Sequence, residues 1–232
     1  MGLIQMGVPE DITLFLKEIF KSDLFIETGT FYGGTASWAS KYFKKVHTIE
    51  FSEPIYNATS EKLAHISNIN FHFGDTRTLL NKILLEEHAS QNAILWLDAH
   101  WSSGLTYGQN DECPLLKELE ILSECKQEVC ILIDDARLFL APPPLPHNCN
   151  QYPSIQEIFN AYKKDAFITV YNDVIIIIPS YQKDAYQKFL QAKTTTDWNE
   201  TSRLKEDSLL SDFKKLLKNI LKKSRININK HK

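Results

Sequence analysis

The chain holds only eight glycines and four cysteines in 232 residues, and the patterns these few fail to make narrow the field. Cys113, Cys125, Cys130 and Cys149 form no Cys-x-x-Cys pair and no zinc-ligand spacing, so neither a dithiol redox centre nor a zinc module is expected. Scattered single cysteines read as reduced thiols, which fits a cytoplasmic protein. No apolar run approaches the roughly 18 residues that would span a bilayer. The start, Met1-Gly2-Leu3-Ile4-Gln5-Met6, has no basic segment followed by an apolar stretch, and position 6 lacks a Ser or Thr. Neither an export signal nor a myristoylation site is therefore expected. The glycines form no Gly-x-Gly-x-x-Gly and no Gly-Lys-Ser/Thr ending, which removes the dinucleotide fingerprint and the phosphate loop.

A basic body is missing too. Residues 201–232 carry ten Lys/Arg and three Asp/Glu, so the first 200 residues hold sixteen basic and twenty-six acidic side chains. An acidic body opposes phosphate, and no nucleic-acid partner is expected. What is present is ordinary globular material, 43% hydrophobic and 24% charged, enough for one large domain or a domain with a small appendage.

One stretch stands out: Phe25-Ile26-Glu27-Thr28-Gly29-Thr30-Phe31-Tyr32-Gly33-Gly34-Thr35. An apolar run ends on an acid, passes through Gly29 and reaches Gly33-Gly34 just before a helical pattern. A strand hands over to a helix in this way when the turn must let a ligand touch backbone. Glu27 would repel an anion and welcome a cationic or hydroxyl-rich ligand.

Around this turn the chain alternates. Helical spacing over 9–22 precedes strand patterns at 24–27, 46–50, 69–73, 93–97 and 129–133, with helical patterns over 35–43, 53–66, 76–88 and 114–124 between and after them. A proline-rich loop leads to a helix over 154–162. The runs 167–171 and 174–178 then flank Asn172-Asp173, a two-residue turn that predicts a hairpin. The alternation predicts an α/β fold, a doubly wound, mostly parallel seven-stranded sheet, with the terminal hairpin adding one antiparallel strand at an edge. Residues 1–180 form that domain, with the first helix included, and 181–232 form a helical extension with a basic tail.

With the acid-x-Gly-x-x-x-Gly turn, this order of elements resembles the class I S-adenosylmethionine (SAM)-dependent methyltransferases over about residues 20–180. The resemblance implies a Rossmann-like methyltransferase fold with SAM as cofactor. It places Gly29, Gly33 and Gly34 where backbone approaches the methionine moiety, with Glu27 beneath, and it counts Thr30 and Tyr32 of the same turn in the cofactor site. Glu50 matches the acid that accepts hydrogen bonds from both ribose hydroxyls, with Phe51 beside it. Asp75 matches the acid facing the adenine amino group, with Thr76 next to it.

The first five strands all end on acids: Glu27, Glu50, Asp75, Asp98 and Asp134. Such acids also cap helices and suit their N-terminal dipoles, a reading that stands for Asp75 and for one of Asp134 and Asp135. Strands four and five are neighbours in this fold, so Asp98, Asp134 and Asp135 should converge. Three carboxylates in one pocket repel unless protonated or bridged by a cation, and such ligands suit Mg²⁺ or Ca²⁺. The trio is similar to that of metal-dependent O-methyltransferases, both the catechol type and the bacterial sugar-modifying type that includes macrocin O-methyltransferase. That resemblance implies Mg²⁺ on Asp98, Asp134 and Asp135. An acid after the fourth strand also occurs in methyltransferases without metal, so both readings stand.

Methyl transfer needs alignment, a base and exclusion of water. Asp98 and His100 are the candidates for that base, and Asp98 also borders the cofactor. Arg137 either binds an acidic substrate group or makes a surface salt bridge, and the stiff loop 141–147 forms one wall of the acceptor pocket. The stretch from Asp98 through Asp111-Glu112-Cys113-Pro114-Leu115-Leu116 looks like bacterial methyltransferases of polysaccharide or secondary-metabolite pathways. It implies a small hydroxylated acceptor, a sugar or a glycosylated metabolite. In the tail, Leu209, Leu210, Phe213, Leu216, Leu217, Ile220 and Leu221 recur at helical spacing opposite lysines. Such a helix docks on the domain, packs in a homodimer or meets an anionic membrane. Two other classes remain: a relative that binds SAM or a metal without transferring methyl, and a nicotinamide-dependent oxidoreductase, which the missing Gly-x-Gly-x-x-Gly disfavours.

Overall fold

A computed structural model describes residues 7–84, 91–101, 108, 111–203 and 205. In chain order the elements are α1 (Glu10–Phe20), β1 (Leu24–Thr28), α2 (Gly34–Ala39), β2 (Lys45–Glu50), α3 (Glu53–Leu63), β3 (Ile69–Phe73), α4 (Thr76–Lys82), β4 (Ala93–Leu97), α5 (Leu115–Glu124), β5 (Val129–Ile133), α6 (Arg137–Leu140), α7 (Ile155–Ala161), β6 (Ala166–Tyr171) and β7 (Val174–Pro179). The strands form one sheet in the order β3-β2-β1-β4-β5-β7-β6. β1 to β5 run parallel, and β7 is antiparallel to both of its neighbours.

Local chemistry explains the elements. β1, β4, β5 and β7 are buried at every position, as strands covered by helices on both faces must be. In α1, Ile12, Leu16 and Phe20 recur every four residues and are buried, while Glu10 and Asp11 occupy the first turn, where acids favour the helix dipole. α5 buries Leu115, Glu118, Leu119 and Leu122, one stripe of the helix. α7 starts with a full capping box between Ser154 and Glu157.

Two expectations are corrected. The antiparallel strand is not at an edge: β7 lies between β5 and β6, and β6 is the edge strand. The run Val174-Ile175-Ile176-Ile177-Ile178 has no polar face and needs cover on both sides, whereas no residue of β6 is fully buried. The helices expected over 35–43 and 53–66 end at Ala39 and Leu63. After α2 the side chain of Asn68 donates to the carbonyls of Ser40 and Phe43 and fixes that stretch as turn. The helix expected over 76–88 is α4 as far as Lys82, and residues 85–90 lie outside the described residues.

The chain divides into two compact units, 1–183 and 184–232. The second begins within a helix over 183–203. The amphipathic stretch 209–221, with its docking and homodimer readings, lies outside the described residues. Among the described residues no helix is long and apolar enough to cross a membrane.

Candidate active site

The sheet order reverses beside β1: the chain moves outward to β2 and β3, then returns to place β4 on the other side of β1. A crevice opens at such a switch point, beyond the carboxyl ends of the strands. Here the register sets Thr28 beside Ile49 and Leu97, and Leu97 beside Ile133. The residues that follow these strands therefore share one rim. They enclose a cavity of about 490 Å³, within the usual range for a small-molecule site.

The glycine turn splits into a face toward the cavity and a face toward the core. Gly29, with φ 86°, lies against Asp98 and Ala99 just after β4; Gly29 and Phe31 line the cavity. Glu27, Thr30, Tyr32, Gly33 and Gly34 do not line it. Glu27 is buried under the turn, where Thr48 Oγ1 donates to its Oε2 at 2.6 Å and Thr30 Oγ1 meets Thr48 Oγ1 at 2.6 Å. Burial pushes the Glu27 carboxyl up to about 8 against the Thr48 hydrogen bond. Gly33, at φ 74°, packs on α3, where a Cβ would meet Leu63 at 2.5 Å; one at Gly34 would meet nothing within 4 Å. Tyr32 is exposed and packs against Phe31 with the two rings tilted by 51°.

Glu50 closes the turn from β2. Its Oε2 accepts from Phe31 N at 3.0 Å and its Oε1 from Ser52 N at 2.8 Å. Phe31 sits at φ 46°, and its carbonyl accepts from Thr59 Oγ1 at 2.7 Å. Each Glu50 oxygen thus spends one lone pair on backbone, and Glu50 lines the cavity with Ile49 and Phe51. Two fixed oxygens with acceptor capacity left suit a vicinal diol. Asp75 and Thr76 also line the cavity. Asp75 is the N-cap of α4, accepting from Arg77 N, and both of its oxygens take the Arg77 guanidinium. The hydrogen bonds from Arg77 hold its carboxyl below the usual range despite partial burial. Arg77 also pairs with Asp111 at 2.7 Å. Nothing in the sequence spacing marks that bridge.

Beyond Gly29 the wall turns acidic. Asp98, His100, Asp134 and Asp135 all line the cavity. His100 stands between two acids, Nε2 at 2.8 Å from Asp135 Oδ2 and Nδ1 at 3.6 Å from Asp98 Oδ1. Burial opposes an imidazolium there, but the Asp135 hydrogen bond and the charges of Asp98, Asp135 and Asp134 outweigh it, and the pKa is raised. Burial lifts Asp98 to about 6 against the pull of His100, and burial with the neighbouring Asp98 and Asp135 lifts Asp134 to about 8. In Asp135 burial is overcome by His100 and Arg137, and its carboxyl is lowered. Arg137 binds Asp135 Oδ1 at 2.6 Å and Asp173 on the hairpin turn.

This arrangement changes two expectations. With Nε2 on Asp135, Nδ1 toward Asp98 and its pKa raised, His100 favours the imidazolium, which has no lone pair to offer, and this argues against it as the base. The trio Asp98, Asp134 and Asp135 shares one wall, yet no three His, Cys, Asp or Glu among the described residues are placed to hold a metal ion. His100 and Arg137 already supply positive charge to Asp98 and Asp135. The residues do not fit Mg²⁺ in this arrangement.

Another part of the lining comes from the loop expected to wall the acceptor pocket, tied down by Glu112. Glu112, buried before α5, accepts from Asn148 N at 3.0 Å and faces His147 Nδ1 at 3.2 Å, while its own N–H donates to Gln151 Oε1. This ties the loop over 141–151 across the rim, with Pro144 and His147 lining the cavity beside Trp101 and Leu138. The Glu-Cys-Pro run ahead of α5 was the available signal, although it names no partner.

No protein-family model matches the chain, and no curated protein matches it in sequence. Solved structures do match its fold. A Staphylococcus aureus protein classed as a caffeoyl-CoA O-methyltransferase aligns over 76% of this chain and 86% of its own, with 12% identity and a TM-score of 0.54. A Klebsiella pneumoniae protein classed as an O-methyltransferase aligns over 75% and 81%, with 12% identity and a TM-score of 0.50. The S-adenosylhomocysteine (SAH)-bound Podospora anserina methyltransferase PaMTH1 covers 75% and 80%, with 13% identity and the same TM-score. The chain has the fold of these methyltransferases: a seven-stranded, mostly parallel sheet with one antiparallel strand, flanked by helices.

Proposed function

We propose that this protein is a SAM-dependent O-methyltransferase acting on a small hydroxylated acceptor, a sugar or glycosylated metabolite. The observation that carries the reading is Glu50: a carboxylate fixed by two backbone N–H groups at the end of β2, bordering a cavity at the switch point. That is the chemistry of a ribose clamp. Glu50, Phe51 and Ile49 would hold the adenosine half, with Asp75 and Thr76 at the base. Gly29 and Asp98 would border the methionine half, and Glu27, Thr30, Tyr32, Gly33 and Gly34 shape the turn from behind. Methyl transfer is an in-line displacement, so the protein's work is alignment and removal of a proton. Asp98 would accept a hydrogen bond from the acceptor hydroxyl, kept ionised by His100. Trp101, Leu138 and Pro144 offer apolar faces among polar groups, a mixture suited to a sugar ring. Residues 1–180 would form the transferase domain and 181–232 an appended extension. The reading assigns no step to Mg²⁺.

The test is calorimetric titration of the full chain with SAH, the product of any SAM-dependent methyl transfer. Micromolar binding is expected, weakened more than ~100-fold in Glu50→Ala, since two charge-assisted hydrogen bonds are lost. If wild type binds no SAH, the reading falls. If it binds but methylates no hydroxylated acceptor, the protein is a binding member of the fold.

A further inference from the structure

The proposed reaction needs a group to take the acceptor's proton, and both nitrogens of His100 face carboxylates. A second imidazole borders the same cavity. His147 Nδ1 lies 3.2 Å from Glu112 Oε2 and 3.1 Å from Tyr152 Oη. The tyrosine hydroxyl can donate to the carbonyl of Trp101 at 3.3 Å. The Glu112 carboxylate can only accept, so the ring's single neutral-state proton belongs on Nδ1. No hydrogen bond among the described residues occupies Nε2, which keeps its lone pair.

The surroundings hold the ring in place. Trp101 and Tyr152 pack edge-on against it, each at 5.4 Å between ring centroids. The Trp101 N–H donates to the Glu112 carbonyl at 2.7 Å, and the Glu112 carboxylate accepts from Asn148 N. Glu112 is buried, so its charge is spent on this loop. A carboxylate behind one imidazole nitrogen fixes the tautomer and stabilises the imidazolium that forms when the other nitrogen takes a proton.

Resting on the methyltransferase reading, we infer that His147 is the general base of the reaction and Glu112 its positioning residue. The acceptor oxygen forms its bond to the methyl carbon as the carbon–sulfur bond breaks and its electron pair returns to sulfur. The hydroxyl proton passes to His147 Nε2. SAM and the acceptor become SAH and a methyl ether, and His147 then releases the proton to solvent. Asp98, which lines the same cavity, orients the hydroxyl.

Two measurements on the full-length protein test this. In protein labelled with ¹⁵N-histidine, two-bond proton–nitrogen correlations at pH 9, assigned with His147→Gln, report the tautomer without any ligand. The Nδ1–H form is expected in wild type, with a shift toward Nε2–H in Glu112→Ala; an Nε2–H form in wild type overturns the inference. Turnover of labelled SAM over a panel of hydroxylated acceptors gives the second readout. His147→Gln is expected to lower kcat at least ~100-fold, the usual scale of a lost base, with SAH affinity within about twofold of wild type. Retained turnover overturns the inference and leaves the proposed function intact. If wild type binds no SAH, the methyltransferase reading fails instead; if it binds SAH but methylates nothing in the panel, the tautomer alone decides.

Discussion

Gly29 is pressed against the backbone of Asp98: a Cβ on residue 29 would lie 2.2 Å from the Asp98 carbonyl oxygen. This contact is where β1 and β4 part at the switch point, and it leaves no room for a side chain. Gly29→Ala would add a methyl against rigid backbone and strain a φ of 86°. A cost of about 3 kcal/mol or more is expected, or a Tm roughly 6–12 °C lower for a domain of this size. Gly34→Ala is the control, because a Cβ there meets nothing within 4 Å, and it should change stability by less than about 0.5 kcal/mol. Equal Tm values for the two variants would show that the turn does not sit as described.

Under the proposed reaction, Asp98 should separate binding from turnover. It borders the cavity but makes none of the contacts that hold Glu50. Asp98→Asn keeps the shape and removes the charge that pairs with His100. The expected result is a kcat roughly 10- to 100-fold lower with SAH affinity within about threefold of wild type. Full activity in this variant would remove Asp98 from the mechanism.

The charge arrangement also makes a statement about metal. His100 and Arg137 already pair with Asp98 and Asp135, the carboxylates a bridging cation would need. Turnover should therefore change by less than about twofold between excess EDTA and added Mg²⁺, whereas metal-activated hydroxyl chemistry would lose orders of magnitude. A strict Mg²⁺ requirement would mean that His100 moves away when the site is loaded.

Much of this architecture is legible in the sequence because parallel strands covered on both faces read as unbroken apolar runs. Ile94-Leu95-Trp96-Leu97 and Cys130-Ile131-Leu132-Ile133 are such runs, and both are buried. Glu50 is legible as the acid that ends a short strand, Val46-His47-Thr48-Ile49. The position of β7 is not, since a hairpin's turn fixes its own pairing but not which of its strands joins the sheet. The site's ionic contacts are hidden for a different reason. His100 meets Asp135 and Glu112 meets His147, each across 35 residues. Only the folded chain shows that one histidine is enclosed by acids and the other keeps a nitrogen open.

Stability should fall as pH rises from about 5.5 to 9. Burial lifts Glu27 to about 8 and Glu118 to about 7; burial and neighbouring acids lift Asp134 to about 8. Each of these carboxyls is protonated in the folded state over a range where the unfolded chain has already released the proton. The folded state then binds more protons, so each unit of pH lowers the free energy of unfolding until the folded pKa is passed. His100 acts in the same direction. Its raised pKa contributes stability that is complete below the unfolded value and is lost as pH climbs through the folded one. Asp75 and Asp135, whose carboxyls are lowered, act oppositely but only in acid, where they lose stability as pH falls. Urea denaturation across this range should give a midpoint that declines steadily with pH. Asp134→Asn, which cannot ionise, should flatten the decline, most visibly from about pH 5.5 to 7, where the unfolded carboxyl is ionised and the folded one is not. A midpoint that rises toward pH 9 would mean that these acids are ionised in the folded protein, and that the crowded wall beyond β4 and β5 is neutralised by something other than protons.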